Sequence, residues 1–304
     1  MTSTDIQQPD GRSPAQTASQ SSYAGFYINL DRSPERREEM EAQFARMYLS
    51  GVYHRFPGVD GNRLDFPHRR GLQAAEIGCF TSHYLVYAAN LDSPVHLHVV
   101  EDDTIFSARW TRCAIEALVS GRQFDDYDVI FTDRVVQLHS LEPLKARYDK
   151  LAPKSEGGKH VIFDVDDVKN TGFATASSYV VNKRAIRKLH DLCHDELSAG
   201  ARAPIDLFLR KMADDGMLKI GCIFPFVTSI KLDRVARSTI PDRYANMLTP
   251  LAFAIARQMF FVDCDFEECW KYTRRLLQTR QFDDRSRLIA EILEFCRSDT
   301  FEKV

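Results

Sequence analysis

Apolar positions along residues 23–225 recur with two periods, and each change of period marks a change of element. Phe26 to Leu30 is a short apolar run that predicts a first strand. Ser33-Pro34 then offers an N-cap with proline at the first helical position. Met40, Phe44, Met47 and Tyr48 follow at i, i+4, i+7 and i+8, the stripe of a helix packed on a sheet. Residues 52–68 predict a short strand and a loop. A helix is predicted over 73–91, a strand over 95–100, a helix near 108–120 and a strand from Tyr127 to Thr132. Residues 134–160 are polar and turn-rich, the pattern of a loop or lid over a site. Strands are predicted over 161–165 and 174–181, then a helix over 183–193 capped by Asn182, and a late strand over 218–224 stopped by Pro225. Strand, turn and helix in this order predict an α/β fold, a sheet flanked by helices.

The two ends follow other patterns. Residues 1–22 are mostly Ser, Thr, Gln, Asp and Pro, cannot offset their ordering entropy, and are expected to be disordered. From Thr249-Pro250 the pattern becomes helical throughout, with Leu251, Ile255, Met259 and Val262 on one stripe. The expected division is a tail over 1–22, a catalytic domain over 23–248 and a helical appendage over 249–304. The appendage, with Arg274, Arg275, Arg280, Arg285 and Arg287, packs on the core, joins a second subunit as a homodimer, or lies against a membrane surface.

Bulk composition narrows the function classes. Hydrophobic residues are 44% and charged residues 27%, so the chain can bury a full core without staples. A net charge of −3 provides no basic field to recruit nucleic acid. The seven cysteines are scattered without a C-x-x-C pair, which favours a reducing compartment. The sequence shows no signal pattern and no run approaching the ~20 apolar residues of a membrane span. The expectation is a cytoplasmic protein, at most peripheral to the inner face of a membrane.

The chemistry concentrates where the strand at 95–100 ends in Glu101, Asp102 and Asp103. Strand carboxyl ends are where open α/β sheets bind ligands. Adjacent carboxylates repel unless a cation or solvent relieves them. The cluster is therefore either a solvated turn or a site for Mg²⁺ or Mn²⁺, which prefer oxygen ligands and bridge to diphosphates. If the strand continues, Glu101 and Asp103 face one side and Asp102 the other. On the helix at 73–91, Glu76, Cys79 and His83 share a face, with Ser82 adjoining. Cys79 and His83 suit zinc, but no matching second pair follows. A nucleophilic Cys–His pair lacks any sign of an oxyanion hole.

The phrase Ala74-Ala-Glu-Ile-Gly-Cys-Phe-Thr-Ser-His83 resembles the Glu-Ile-Gly-Cys-x-x-Ser-His segment of glycosyltransferase family 25, the lipopolysaccharide and lipooligosaccharide glycosyltransferases. Four further pieces resemble the family in the right order: Tyr27-Ile-Asn-Leu-Asp-Arg-Ser-Pro-Glu-Arg-Arg37, Phe56-Pro-Gly-Val-Asp-Gly61, Val100-Glu-Asp-Asp103, and Asn170 to Ala185 followed by Pro204-Ile205-Asp206. The resemblance covers about 25–240. It implies a GT-A-like, Rossmann-type mixed sheet and transfer of a hexose, usually galactose, from a UDP-sugar with inversion. The acceptor it implies is a saccharide or glycolipid, and some family relatives act instead on hydroxylysine of collagen-like proteins.

Within that frame, Glu101 and Asp103 are the expected metal ligands, Asp103 directly. Asn29, Asp31 and Arg32 follow the first strand and are expected at the nucleotide, with Asp102. Glu76, Ser82 and His83 are expected to shape the donor or acceptor pocket, although His83 also suits a structural role. Arg36 and Arg37 suit either the site or a plain helix surface. Inversion needs a carboxylate to take the acceptor hydroxyl proton. Asp206 is the first candidate, with a helix N-cap as its other reading, and Asp133 is the second. Two other classes use the same acids: a metal-dependent phosphodiester or pyrophosphate hydrolase, and a sugar-nucleotide-binding protein without turnover.

Overall fold

The computed structural model describes residues 4–7, 22–64, 71–136, 140–151, 160–231, 249–264 and 271. The strands are β1 (Thr4–Gln7), β2 (Tyr23–Asn29), β3 (Tyr53–Pro57), β4 (His96–Glu101), β5 (Thr104–Phe106), β6 (Val129–Phe131), β7 (His160–Asp167), β8 (Ser178–Val181), β9 (Ile220–Phe224) and β10 (Thr228–Ile230). The helices are α1 (Pro34–Arg46), α2 (Ala74–Ala89), α3 (Thr111–Ser120), α4 (Leu141–Leu151), α5 (Ile186–Ser198), α6 (Ile205–Asp214) and α7 (Thr249–Met259). Eight strands form one mixed sheet in the order β1-β7-β9-β6-β8-β4-β2-β3, and β5 pairs with β10 in a separate ribbon. The α/β architecture is as expected.

Three parallel strands position the site. β3, β2 and β4 run side by side, with Asn29 opposite Pro57 and Ile28 opposite Glu101. Their carboxyl ends therefore open at one edge of the sheet, where ligands bind in such folds. Antiparallel β8 brings Ser177 to the same edge, where its carbonyl accepts from the Glu101 amide at 2.7 Å.

The central strands are apolar on both faces because both faces are covered. Leu97, Val99, Val129, Phe131, Tyr179 and Val181 pack on one side with α2, α5 and α6. Val100, Ile130 and Val180 alternate to the other, against Phe44 of α1 and Ile115 of α3.

Several expectations need correction. Strand β4 does not run on through the acids. It ends at Glu101, turns at Asp102-Asp103, and re-enters as β5, so a two-sided strand geometry does not apply. Ser33 precedes α1 but makes no side-chain cap bond. The stretch 134–160 contains α4 and the start of β7; 137–139 and 152–159 lie outside the described residues. The strand expected over 174–181 is confined to Ser178–Val181. Thr175 has φ 128°, a conformation a β-branched residue rarely adopts, and extended pairing starts only after it.

Within 1–22, Thr4–Gln7 pair antiparallel with β7. Backbone hydrogen bonds can form such an edge, which a composition argument cannot register.

The boundary at 248/249 also falls inside one core. Ile255, Ala256, Met259 and Phe260 belong to the α2-side cluster. The Phe226 amide donates to the Phe260 carbonyl at 2.9 Å, and the Val262 amide to the Phe226 carbonyl at 3.0 Å. The arginines at 274, 275, 280, 285 and 287 lie outside the described residues. No helix among the described residues is long and apolar enough to cross a membrane.

Candidate active site

A cleft of about 140 Å³, partly open to solvent, lies at the carboxyl ends of β2, β3 and β4. Its walls come from the turn after β2, the loop Gly58–Gly61, one face of α2, and the acids Glu101, Asp102 and Asp103.

The loop and α2 meet backbone to backbone, which explains two glycines of the quoted motifs. A Cβ on Gly61 would stand 1.6 Å from the Ala74 carbonyl oxygen, and one on Gly78 would stand 2.5 Å from that of Val59. Only glycine permits so close an approach. Ser82 completes the seam. Its hydroxyl donates to the Gly78 carbonyl at 2.7 Å and accepts from the Val59 amide at 2.8 Å. Ser82 thus lines the cleft while holding its wall.

The three acids have three environments. Asp102 is held by protein donors, accepting from Arg36 Nη1 at 2.8 Å and Asn29 Nδ2 at 2.7 Å. Glu101 Oε1 accepts from His83 Nε2 at 3.2 Å and from the Cys79 thiol at 3.4 Å. Burial works against the Glu101 charge, but the His83 and Cys79 contacts hold its pKa below the ordinary glutamate value. Asp103 differs from both. Its Oδ1 is buried without a hydrogen-bond partner among the described residues. Burial, then the charges of Glu101 and Asp102, push its pKa up to about 7. A buried carboxylate oxygen without a donor, beside two other carboxylates, is a costly arrangement that a cation would relieve.

Asn29 is 1% exposed and acts as a hub. Nδ2 donates to Asp102 and to the Ser33 carbonyl, and Oδ1 accepts from Arg55 Nε at 3.0 Å. It braces the site rather than offering groups to a ligand. Asp31 points outward, 82% exposed, and pairs with Arg55 at 2.5 Å, which lowers its pKa. Arg32 lines the cleft and pairs with Asp60 of the facing loop. Glu76 sits at the start of α2, where Oε2 accepts from the Gln73 amide at 2.7 Å. That is a capping-box contact, and Glu76 itself is not among the residues that line the cleft. His83 is fully buried, with Nδ1 at 2.6 Å from Tyr179 Oη, and the Tyr179 hydroxyl meets Tyr87 Oη at 2.5 Å.

Arg36 and Arg37 separate cleanly. Arg37 is exposed and pairs with Glu41 one turn on, whereas Arg36 is buried against Asp102 in the cleft wall. A signal for this was present: Arg36 precedes Met40 and Phe44 at four-residue steps, on the buried stripe of α1.

The two candidate bases also separate. Asp206 lies in the first turn of α6, where Oδ1 accepts from the Leu207 amide at 2.8 Å. Pro204 occupies the N-cap, so Asp206 is not the cap residue. Its pKa is raised by burial and by the nearby charge of Glu101, against the pull of the Leu207 amide. Asp133 is 0% exposed and Arg257, 3% exposed, closes over it from α7. Arg257 Nε and Nη2 donate to Asp133 Oδ2 at 3.0 and 2.5 Å, and Ser177 Oγ donates to Oδ1 at 3.4 Å. An acceptor hydroxyl has no approach to a carboxylate so enclosed. Arg257 was not anticipated. Its one local signal is that it is the sole charge in the apolar run 251–262.

The mixed sheet, with acids and arginines gathered at its parallel strand ends, has an α/β Rossmann-like architecture consistent with a glycosyltransferase fold. The chain belongs to glycosyltransferase family 25: the family model described as "Glycosyltransferase family 25 (LPS biosynthesis protein)" matches residues 24–209. It is similar to proteins described as "Glycosyltransferase 25 family member". The one from Drosophila pseudoobscura pseudoobscura is 33% identical, with 41% of this chain and 23% of the relative covered. The one from Drosophila melanogaster is 31% identical with the same coverage. The one from Aedes aegypti is 32% identical over 36% of this chain and 21% of the relative. The match thus spans less than a quarter of the length of these relatives. As the resemblance in the motifs implied, the chain is a member of a glycosyltransferase family.

Proposed function

We propose that the protein is an inverting glycosyltransferase that moves a hexose, galactose first among candidates, from a UDP-sugar to a saccharide or glycolipid acceptor of the lipopolysaccharide or lipooligosaccharide type. The observation that carries this reading is Asp103: a buried carboxylate whose Oδ1 lacks a partner among the described residues, beside Glu101 and Asp102 and within reach of a cleft lined by Arg32 and Arg36. The donor set is hard oxygen, which suits Mg²⁺ or Mn²⁺. Asp103, with Glu101, would hold such an ion, which supplies positive charge to the departing diphosphate.

The rest is done by the chain's own residues. Arg32 and Arg36 face the diphosphate from the β2 side; Asp102 fixes Arg36 by a charge-assisted hydrogen bond and is itself held by the Asn29 amide. Asp206 takes the proton of the acceptor hydroxyl as that oxygen bonds to the anomeric carbon and the bond to the diphosphate oxygen breaks. A carboxylate with a raised pKa is a better base for this step than an ordinary one. We further propose that the protein works in the cytoplasm, and that any membrane contact or homodimer surface involves the C-terminal segment from 249 on, whose first helix packs on the catalytic domain.

Two variants test the roles separately. Asp103→Asn is expected to lose Mn²⁺-dependent UDP-sugar binding in a calorimetric titration; wild-type affinity there refutes the metal assignment. Asp206→Asn is expected to keep donor binding and lose about 10²–10⁴-fold in turnover. Near-normal turnover removes Asp206 from the mechanism.

A further inference from the structure

Next to the oxygen-rich position at Asp103 stands a second, chemically different group. Cys79 Sγ, His83 Nε2 and a Glu101 oxygen all lie within 4.8 Å of one another, the one such trio among the described residues. Cys79 and His83 are one turn apart on α2, and Glu101 reaches them from the end of β4. We propose that this trio is a site for a soft or borderline divalent metal, Zn²⁺ foremost, distinct from the hard-metal position at Asp103.

Spacing supports this first. A tetrahedral zinc bound by Cys, His and Glu sets its nitrogen and oxygen about 3.4 Å apart and its sulfur and oxygen about 3.6 Å apart. Here the corresponding distances are 3.2 and 3.4 Å. The two edges that meet at the Glu101 oxygen therefore already have nearly the lengths of a coordination sphere, and the third, from Cys79 Sγ to His83 Nε2, lies within 4.8 Å. All three residues line the cleft, so a fourth position opens toward solvent or a ligand, as in zinc sites with three protein ligands.

The surroundings support it second. A metal-bound imidazole holds its other nitrogen in an outer hydrogen bond that fixes the ring. His83 Nδ1 has that bond, to Tyr179 Oη, whose hydroxyl has Tyr87 Oη as its next partner. In the metal-free site His83 Nε2 faces a carboxylate oxygen, so Nε2 carries the proton and Tyr179 donates to Nδ1. On binding, the imidazole proton moves to Nδ1 and is donated to Tyr179, which turns its own proton to Tyr87 as the Tyr87 hydroxyl proton rotates out of the pair. The Cys79 proton leaves to solvent, as thiol coordination requires. Thiolate, carboxylate and a divalent ion sum to zero charge, which suits a buried position. Bound metal would draw Glu101 away from the hard-metal position. Soft metals are then inhibitors, a consequence that rests on the transferase reading, whereas the site itself does not.

The test is a titration of the purified full chain with Co²⁺ under reducing conditions. It follows the thiolate-to-cobalt charge-transfer band and the visible bands of four-coordinate cobalt. Both are expected in the wild type and in Asp103→Asn, bleached by Zn²⁺, and absent in Cys79→Ser. No thiolate band in the wild type, or a band that survives Cys79→Ser, overturns the proposal. Should Cys79→Ser fail to fold, Glu101→Gln keeps the shape of the site. The cobalt affinity read at the thiolate band is expected to weaken at least about tenfold; unchanged affinity at that band also overturns the proposal.

Discussion

Replacing Arg257 with alanine leaves the Asp133 carboxylate with no cation in a position that is 0% exposed. Breaking a buried ion pair from one side costs about 3–5 kcal/mol, because the remaining charge has lost both partner and solvent. For a domain of this size 1 kcal/mol corresponds to roughly 2–4 °C in Tm, so Arg257→Ala is expected to lower Tm by about 6–20 °C. Removing both charges together, as Asp133→Asn with Arg257→Met, is expected to recover most of that loss, since the desolvation penalty disappears with the charges. Thermal unfolding followed by circular dichroism measures all three proteins. The prediction also separates α7 as part of the core from α7 as an appendage, because an appendage can lose an arginine without consequence. A fall in Tm of less than about 2 °C for Arg257→Ala, or a double variant no better than the single, refutes the reasoning.

Other predictions are independent of that pair. Gly78→Ala inside α2 is expected to destabilise by about 1–3 kcal/mol through overpacking against the Val59 carbonyl and the Gly61 amide, although helix propensity alone predicts a gain of about 1 kcal/mol; the sign of the change in a denaturant melt decides between them. His98 is fully buried between Tyr53 and Ser178, and burial lowers its pKa to about 3. A folded pKa below the unfolded value of about 6.5 means the unfolded chain binds the proton first, so stability is full above pH ~6.5 and falls with acid. By pH 5 the loss from this residue is about 2 kcal/mol, and His98→Asn is expected to flatten that part of the stability profile between pH 5 and 7. Ser82→Ala removes the hydroxyl that bridges α2 to the Val59 amide, so it is expected to cost about 1–3 kcal/mol and to weaken UDP-sugar binding; unchanged binding in calorimetry separates the wall from the donor site.

Much of the frame was legible because it depends on local order. The opening strand and helix follow from Phe26 to Leu30 and from the Met40–Phe44 stripe, and the acids fall at a strand end because an apolar run stops there. The glycines at 61 and 78 were legible as motif positions, but their reason, the contact between a loop and a helix, is a tertiary fact. What could not be read are pairings across long separations. Asn29 looked like a ligand for nucleotide, yet Arg55 and Asp102 occupy it, the latter 73 residues away. Asp133 looked like a base, yet a cation 124 residues on encloses it. Cys79 and His83 lacked a visible third ligand because Glu101 comes from another element. In each case the residue type was informative and its partner was not, since partners are set by sheet register and helix packing.

The central claim is that the cleft transfers a sugar with the help of a divalent cation, and its most direct measurement is UDP release by the purified protein across a set of UDP-sugars, with and without Mn²⁺ and with and without a saccharide acceptor. The account predicts release that favours one UDP-hexose, requires the cation, rises when acceptor is added, and is lost in Asp206→Asn. Release of equal rate from every sugar nucleotide regardless of acceptor indicates a hydrolase and contradicts it, and donor binding without release for any acceptor contradicts it equally.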